Sequence, residues 1–206
     1  MKDMVTEMQK KEQLARALMI CRTVFDKVGS KWFVSFGALL YFIRDKKMGL
    51  PFEQDIDISI VGPCNTKQLI QFMDEWSYKP KNMTVNDITK QPMHIVFTSD
   101  SIPFAIDVFV WINHNGYWWH TYDYYGENKK IPSKYVFKGT PEWAMKGEEW
   151  KYIWEEIAGD MRFPFLYGSL LDIWYPGWFV PDRNFGQSKG KIVTVKTCKD
   201  LEKELK

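Results

Sequence analysis

Apolar positions in the first thirty residues recur with helical spacing. Leu14, Leu18, Cys21, Phe25 and Val28 fall at i, i+4, i+7, i+11 and i+14, one face of a helix over residues 3–28. Gly29 is placed to end it. The run Lys31-Trp32-Phe33-Val34-Ser35-Phe36 is aromatic and β-branched and predicts a short strand. After Gly37, residues 38–44 predict a compact helix. A loop with Gly49 and Pro51 leads into residues 54–61, where the side chains alternate as in a second strand. Gly62-Pro63 breaks that strand, and residues 66–76 predict a helix with Asn65 as N-cap. Residues 94–97 and 102–111 are strand-like, and the aromatic stretch 117–125 is extended. Residues 142–158 predict another helix, 163–184 are rich in Pro, Gly and Trp, and 200–206 predict a frayed helix. This order of helices and strands predicts an α/β (α+β) fold with a small mixed sheet flanked by helices. No repeat or linker divides the chain, so residues 1–206 are expected to form a single domain. Its core would span about 30–111, with an aromatic-rich C-terminal part at about 112–206.

Composition narrows the function classes. The 28 Lys and Arg nearly balance the 26 Asp and Glu, for a net charge of +2, so no nucleic-acid partner is expected. No apolar stretch is long enough to span a membrane, and the charged N-terminus does not resemble a signal peptide. The expected location is cytoplasmic. Cys21, Cys64 and Cys198 match no zinc spacing and read as packed thiols. His94, His114 and His120 have no metal-ligand spacing either and read as loop or core residues.

Two carboxylates stand where strands disfavour them. Asp55 and Asp57 share one face of their strand, with Ile56 and Ile58 on the other. Adjacent carboxylates repel, and a hard divalent ion relieves that, whereas a solvated sheet face would tolerate them without one. Asp107 lies in the apolar run 104–110, where a lone buried carboxylate is costly. Two close acids plus a third from another strand form the usual protein half of a two-metal phosphoryl-transfer site. Asp55, Asp57 and Asp107 are therefore the candidate catalytic and metal-binding residues, for Mg²⁺ or Mn²⁺.

Gly37 joins a strand to a helix, where free N–H groups and the positive helix end favour phosphate. As a simple turn glycine it would need no further role. Ser35 could add a hydroxyl. Arg44, seven residues on, lies about 10 Å further along the helix axis. It is positioned for the acid-bearing loop, at Glu53 or Asp55, or for the far end of a diphosphate donor; the alternative is an ordinary surface arginine. Ser35, Gly37 and Arg44 are the candidate substrate-binding residues.

The blocks Ser35-Phe36-Gly37-Ala38-Leu39-Leu40, Arg44 and Asp55-Ile56-Asp57-Ile58 resemble the signature of the LicD/fukutin family, within the polymerase-β-like nucleotidyltransferase superfamily. Gly37, Leu39, Leu40, Arg44, Asp55 and Asp57 match the pattern, and Asp107 is the natural third acid. Ala38 replaces the usual Thr, Tyr41 the second Gly, and Phe52-Glu53-Gln54 stands where Trp-Asp-Asp is common. Tyr167-Gly168 and Tyr175-Pro176-x-Trp178 resemble the family's less specific C-terminal elements. The resemblance implies a polymerase-β-like core. It also implies transfer of a phosphorylated small group, such as phosphocholine from a CDP-alcohol donor, to a glycan or lipid-linked glycan acceptor, with release of CMP. A lipid-linked acceptor would bring the protein to the inner membrane surface.

Aromatic residues are 17% of the chain, with ten Trp. Trp118, Trp119, Trp174, Tyr175 and Trp178 could cage a quaternary ammonium or simply pack. Three alternatives use the same features. A nucleotidyltransferase would move NMP from an NTP to a small molecule, protein or RNA. A metal-dependent glycosyltransferase would bind a nucleotide-sugar through Asp-x-Asp, although little chain precedes that motif. A non-catalytic module would bind choline or glycan through the Trp-rich half.

Overall fold

The computed structural model describes residues 2–45, 55–85, 92–114, 117–122 and 133–138, with positions 171, 175, 177 and 179. Helix α1 (Lys2–Val28) presents the expected face: Leu14, Leu18, Cys21 and Phe25 are buried. Gly29 follows in a left-handed conformation, φ 73°, which glycine adopts without steric cost. Strand β1 (Lys31–Val34) leads into α2 (Phe36–Leu40), and a π-helical turn, Tyr41–Asp45, continues it. Strand β2 (Asp55–Val61) precedes α3 (Thr66–Asp74), whose N-cap Asn65 side chain accepts from the Gln68 N–H at 3.2 Å. Then come β3 (Lys79–Val85), β4 (Pro92–Thr98), β5 (Ala105–His114), β6 (Tyr117–Tyr122) and β7 (Ser133–Lys138).

The sheet is mixed, with central order β1-β2-β5-β4-β3; β6 and β7 extend it from the far end of β5. Among the described residues β2 and β5 are its one parallel pair. One face carries Trp32, Ile56, Ile58, Ile60, Ile106, Val108 and Ile95, all buried. The end of α1 covers it: the Phe25 and Trp32 rings lie 5.7 Å apart, and the Trp32 indole N–H donates to Asp26 at 2.8 Å. Helix α3 packs against α1 through the same core. Asp55, Asp57 and Asp107 lie on the opposite face of the sheet.

The α/β (α+β) expectation and the small mixed sheet flanked by helices are borne out. Strands β3 and β7 are additions that the hydrophobic pattern did not announce. Lys79-Pro80-Lys81-Asn82 is exposed throughout, and β3 is a strand because it pairs with β4 at the sheet edge. The compact helix over 38–44 begins earlier and changes to π-helical geometry at Tyr41. Residues 142–158 and 200–206 lie outside the described residues, as does all but four positions of 163–184.

Candidate active site

The acid pair and the third acid meet because of register. In the parallel β2–β5 ladder Asp57 stands opposite Asp107, and Asp55 opposite Ala105. Residues directly opposite share a face, so three carboxylates from two adjacent strands converge. Each offers a ligand oxygen, and these oxygens all lie within 4.8 Å of one another. Ala105, the smallest side chain in the register, leaves Asp55 room beside its neighbours. Burial, and after it the Asp107 charge, hold the Asp55 carboxyl above its ordinary value, although a backbone hydrogen bond acts the other way.

The donor set is oxygen-only, anionic and partly buried, which suits a hard divalent cation. Ligands sharing one Mg²⁺ lie at most about 4.2 Å apart, twice its bond length, so a small side-chain rotation brings the cluster into range. The residues present therefore fit a bound cation.

The turn after β1 lies against the same carboxylates. The Ser35 N–H donates to the Asp57 carbonyl at 3.0 Å, and the Ala38 N–H donates to Asp57 Oδ2 at 3.3 Å. Asp57 thus engages an amide at the start of α2, where the spacing around Gly37 suggested phosphate. Gly37 is not among the residues with positive φ; the left-handed residue of this turn is Phe36, φ 44°. The Phe36 ring is buried 4.7 Å from the Phe109 ring, and that packing holds a conformation unfavourable for a bulky side chain. Ser35 is fully buried, and its hydroxyl has no hydrogen-bond partner. Arg44 lies in the π-helical turn with its guanidinium carbon 5.6 Å from the Tyr41 ring centre.

One neighbour of the site was not singled out by spacing. His94 lies on β4, its side chain largely enclosed at 12% exposure. Its ring stacks on Phe109, centres 4.5 Å apart and planes 4° apart, and its Nε2 lies 3.4 Å from Asp107 Oδ2. Alternation with buried Met93, Ile95 and Phe97 could have assigned it to the opposite face. Only the pairing of β4 with β5 aims it at Asp107. The packed-thiol reading holds for the described cysteines: Cys21 is buried and free, and burial pushes the partly buried Cys64 thiol up to about 11. Of the possible aromatic cage, Tyr175 is partly buried against the core; the Trp118 and Trp119 side chains, and Trp174 and Trp178 entirely, lie outside the described residues.

With that geometry in hand, the family comparison is direct. Residues 29–145 match the model of the LicD/FKTN/FKRP nucleotidyltransferase domain. The chain belongs to the LicD family. The match runs from the glycine that ends α1 through β7, and so takes in every strand of the described residues and all three acids. Members of the LicD family are generally transferases of the phosphotransferase type acting on glycans, and they typically depend on a metal. No curated protein matches the chain. Among the described residues no helix is long and apolar enough to cross a membrane.

Proposed function

We propose that this LicD-family chain moves a phosphocholine-like phospho-alcohol from a CDP-activated donor to a glycan hydroxyl, releasing CMP. The observation that carries the reading is the convergence of Asp55, Asp57 and Asp107 on neighbouring parallel strands. A bound Mg²⁺ or Mn²⁺ would neutralise diphosphate charge and orient the donor for in-line displacement. Asp55 and Asp57 would hold the cation, which would supply positive charge to the donor diphosphate. Asp107 would complete a second cation position and would take the proton of the attacking hydroxyl. That oxygen bonds to the phosphorus bearing the alcohol, the bond from that phosphorus to the bridging oxygen breaks, and CMP leaves with the electron pair. Gly37 lies beside Asp57 and would take the donor phosphates, with the enclosed Ser35 hydroxyl behind the turn; Arg44 would serve the far end of the diphosphate. Residues 1–206 are read as one domain, with the Trp-rich C-terminal half as the candidate source of an aromatic cage for the transferred group. The acceptor is a glycan or lipid-linked glycan, met in the cytoplasm or at the inner membrane surface.

A second reading, transfer of NMP from an NTP, is favoured by the nucleotidyltransferase character of the matched domain. A nucleotide-release assay separates the two. The protein is offered CDP-choline, CDP-ribitol, CDP-glycerol, UDP-sugars and the four NTPs with Mg²⁺ or Mn²⁺, beside Asp57→Ala and Asp107→Ala, with nucleotide binding measured in parallel. Metal-dependent CMP release, lost in both variants, is the expected result. Pyrophosphate release would move the assignment to NMP transfer, and UDP release to a glycosyltransferase. Absence of nucleotide binding, with Asp57→Ala as stable as wild type with or without metal, would leave a non-catalytic binding module.

A further inference from the structure

His94 is the buried polar group nearest the acids that the proposed reaction does not use. Among the described residues its buried Nε2 makes no hydrogen bond, and it lies 3.4 Å from Asp107 Oδ2. A buried ring nitrogen without a partner, whether donor or acceptor, costs about 1–3 kcal/mol, so a site that keeps one here has a use for it. Both side chains are largely enclosed, His94 at 12% and Asp107 at 16% exposure, and water competes weakly for the contact. The imidazole is held by its face: it stacks on Phe109, its register partner across β4 and β5. Phe109 also packs on Phe36, the left-handed residue that opens α2.

His94 is not one of the converging ligands. Among the described residues, the set of ligand atoms within 4.8 Å of one another comprises oxygens of Asp55, Asp57 and Asp107, with no His94 nitrogen. Its reach is to one oxygen of one acid.

We propose that His94 is a positioning residue for Asp107. With a small rotation of the carboxylate, Nε2–H would donate to Oδ2, and the other carboxylate oxygen would then face the cation site formed with Asp55 and Asp57. The arrangement parallels Asp57, whose Oδ2 receives the Ala38 N–H. Each of the two opposed acids then has one oxygen tied down by a protein donor, and Phe109 links the two donors through His94 and Phe36. Outer partners of this kind orient ligating carboxylates and raise metal affinity. The inference rests on the reading of the three acids as a cation site, and its test separates the two.

Mn²⁺ binding is measured by calorimetry and by electron paramagnetic resonance, without donor or acceptor, on wild type, Asp107→Asn, His94→Phe and His94→Gln. His94→Phe keeps the ring on Phe109 and removes the donor. His94→Gln gives up the stack and keeps an N–H at a similar reach. A 10-fold or greater loss of affinity is expected for His94→Phe, within the range found for outer partners. His94→Gln is expected to bind within a few-fold of wild type, although it melts at a lower temperature. Wild-type affinity in His94→Phe, with binding lost in Asp107→Asn, would overturn the positioning role and leave the cation site standing. Equal losses in His94→Phe and His94→Gln would overturn it too, since packing rather than donation would then matter. Unchanged binding in Asp107→Asn would refute the cation reading itself.

Discussion

Phe36 concentrates the local energetics of the site in one residue. A non-glycine residue at φ 44° is strained, and this one is held there by a buried ring against Phe109. Two effects compete on substitution. Truncating a buried Phe to Ala costs about 3–5 kcal/mol, and Ala would still carry the left-handed penalty of about 1–2 kcal/mol. Glycine loses the same ring but escapes that penalty. Phe36→Gly should therefore be the more stable of the two variants by about 1 kcal/mol in urea unfolding, although glycine is the poorer helix former elsewhere. The reverse order would mean that the backbone there carries no strain. Nothing in a one-dimensional pattern reveals that a phenylalanine adopts this conformation. The acids were legible for the opposite reason: a carboxylate in an apolar strand is costly wherever the strand pairs, so Asp55, Asp57 and Asp107 stand out before any contact is known.

Among elements, the parallel contact of β2 with β5 matters most, because it sets the three acids side by side. A polar link ties the pair beyond the acids: the Trp111 indole N–H donates to the Ser59 hydroxyl at 3.0 Å, and both residues are buried. Removing one partner leaves the other unsatisfied, at about 1–3 kcal/mol. Ser59→Ala and Trp111→Phe should each destabilise by roughly that amount. The double variant should lose less than their sum, with a coupling of about 1 kcal/mol. Strict additivity in the double-mutant cycle would show that the bond contributes nothing. Helix α1, β1, β2, α3, β4 and β5 were readable from periodicity because each buries a face of its own. Strand β3 was not, because its Lys-Pro-Lys-Asn start has no buried face and its extended form comes from β4.

For the whole molecule, the acid cluster makes stability depend on pH and metal together. The Asp55 carboxyl sits above its ordinary value through burial and the Asp107 charge. Below the ordinary carboxylate range both folded and unfolded states hold the proton, and nothing is lost. Between that range and the raised folded value the unfolded chain releases its proton while the folded one keeps it. Stability therefore falls as pH rises through this window and stays lower above it. In EDTA at neutral pH, Asp55→Asn should melt above wild type, each kcal/mol of relief appearing as about 2–4 °C in a chain of this size. The advantage should vanish at a pH below the ordinary Asp range. Saturating Mg²⁺ should reverse the order, since cation at 100 times its Kd adds about 2.7 kcal/mol to the wild type. Thermal melts across pH, with and without metal, measure all three. An Asp55→Asn protein that melts below wild type in EDTA at neutral pH would contradict the raised carboxyl.

Periodicity and the cost of misplaced charge depend only on neighbours along the chain. The sequence by itself therefore determined the main elements, the mixed α/β class, the three acids and the family pattern around Gly37, Arg44, Asp55 and Asp57. Tertiary structure decided what depends on pairing between distant segments. It set Asp57 opposite Asp107, brought His94 from a third strand to Asp107 Oδ2, and committed the Ala38 amide to Asp57. It also put the left-handed turn on Phe36 rather than Gly37, because the ring that stabilises that conformation lies against Phe109, 73 positions away. A one-residue slip of register would turn every one of these side chains to the other face, and that register is set by the packed core as a whole.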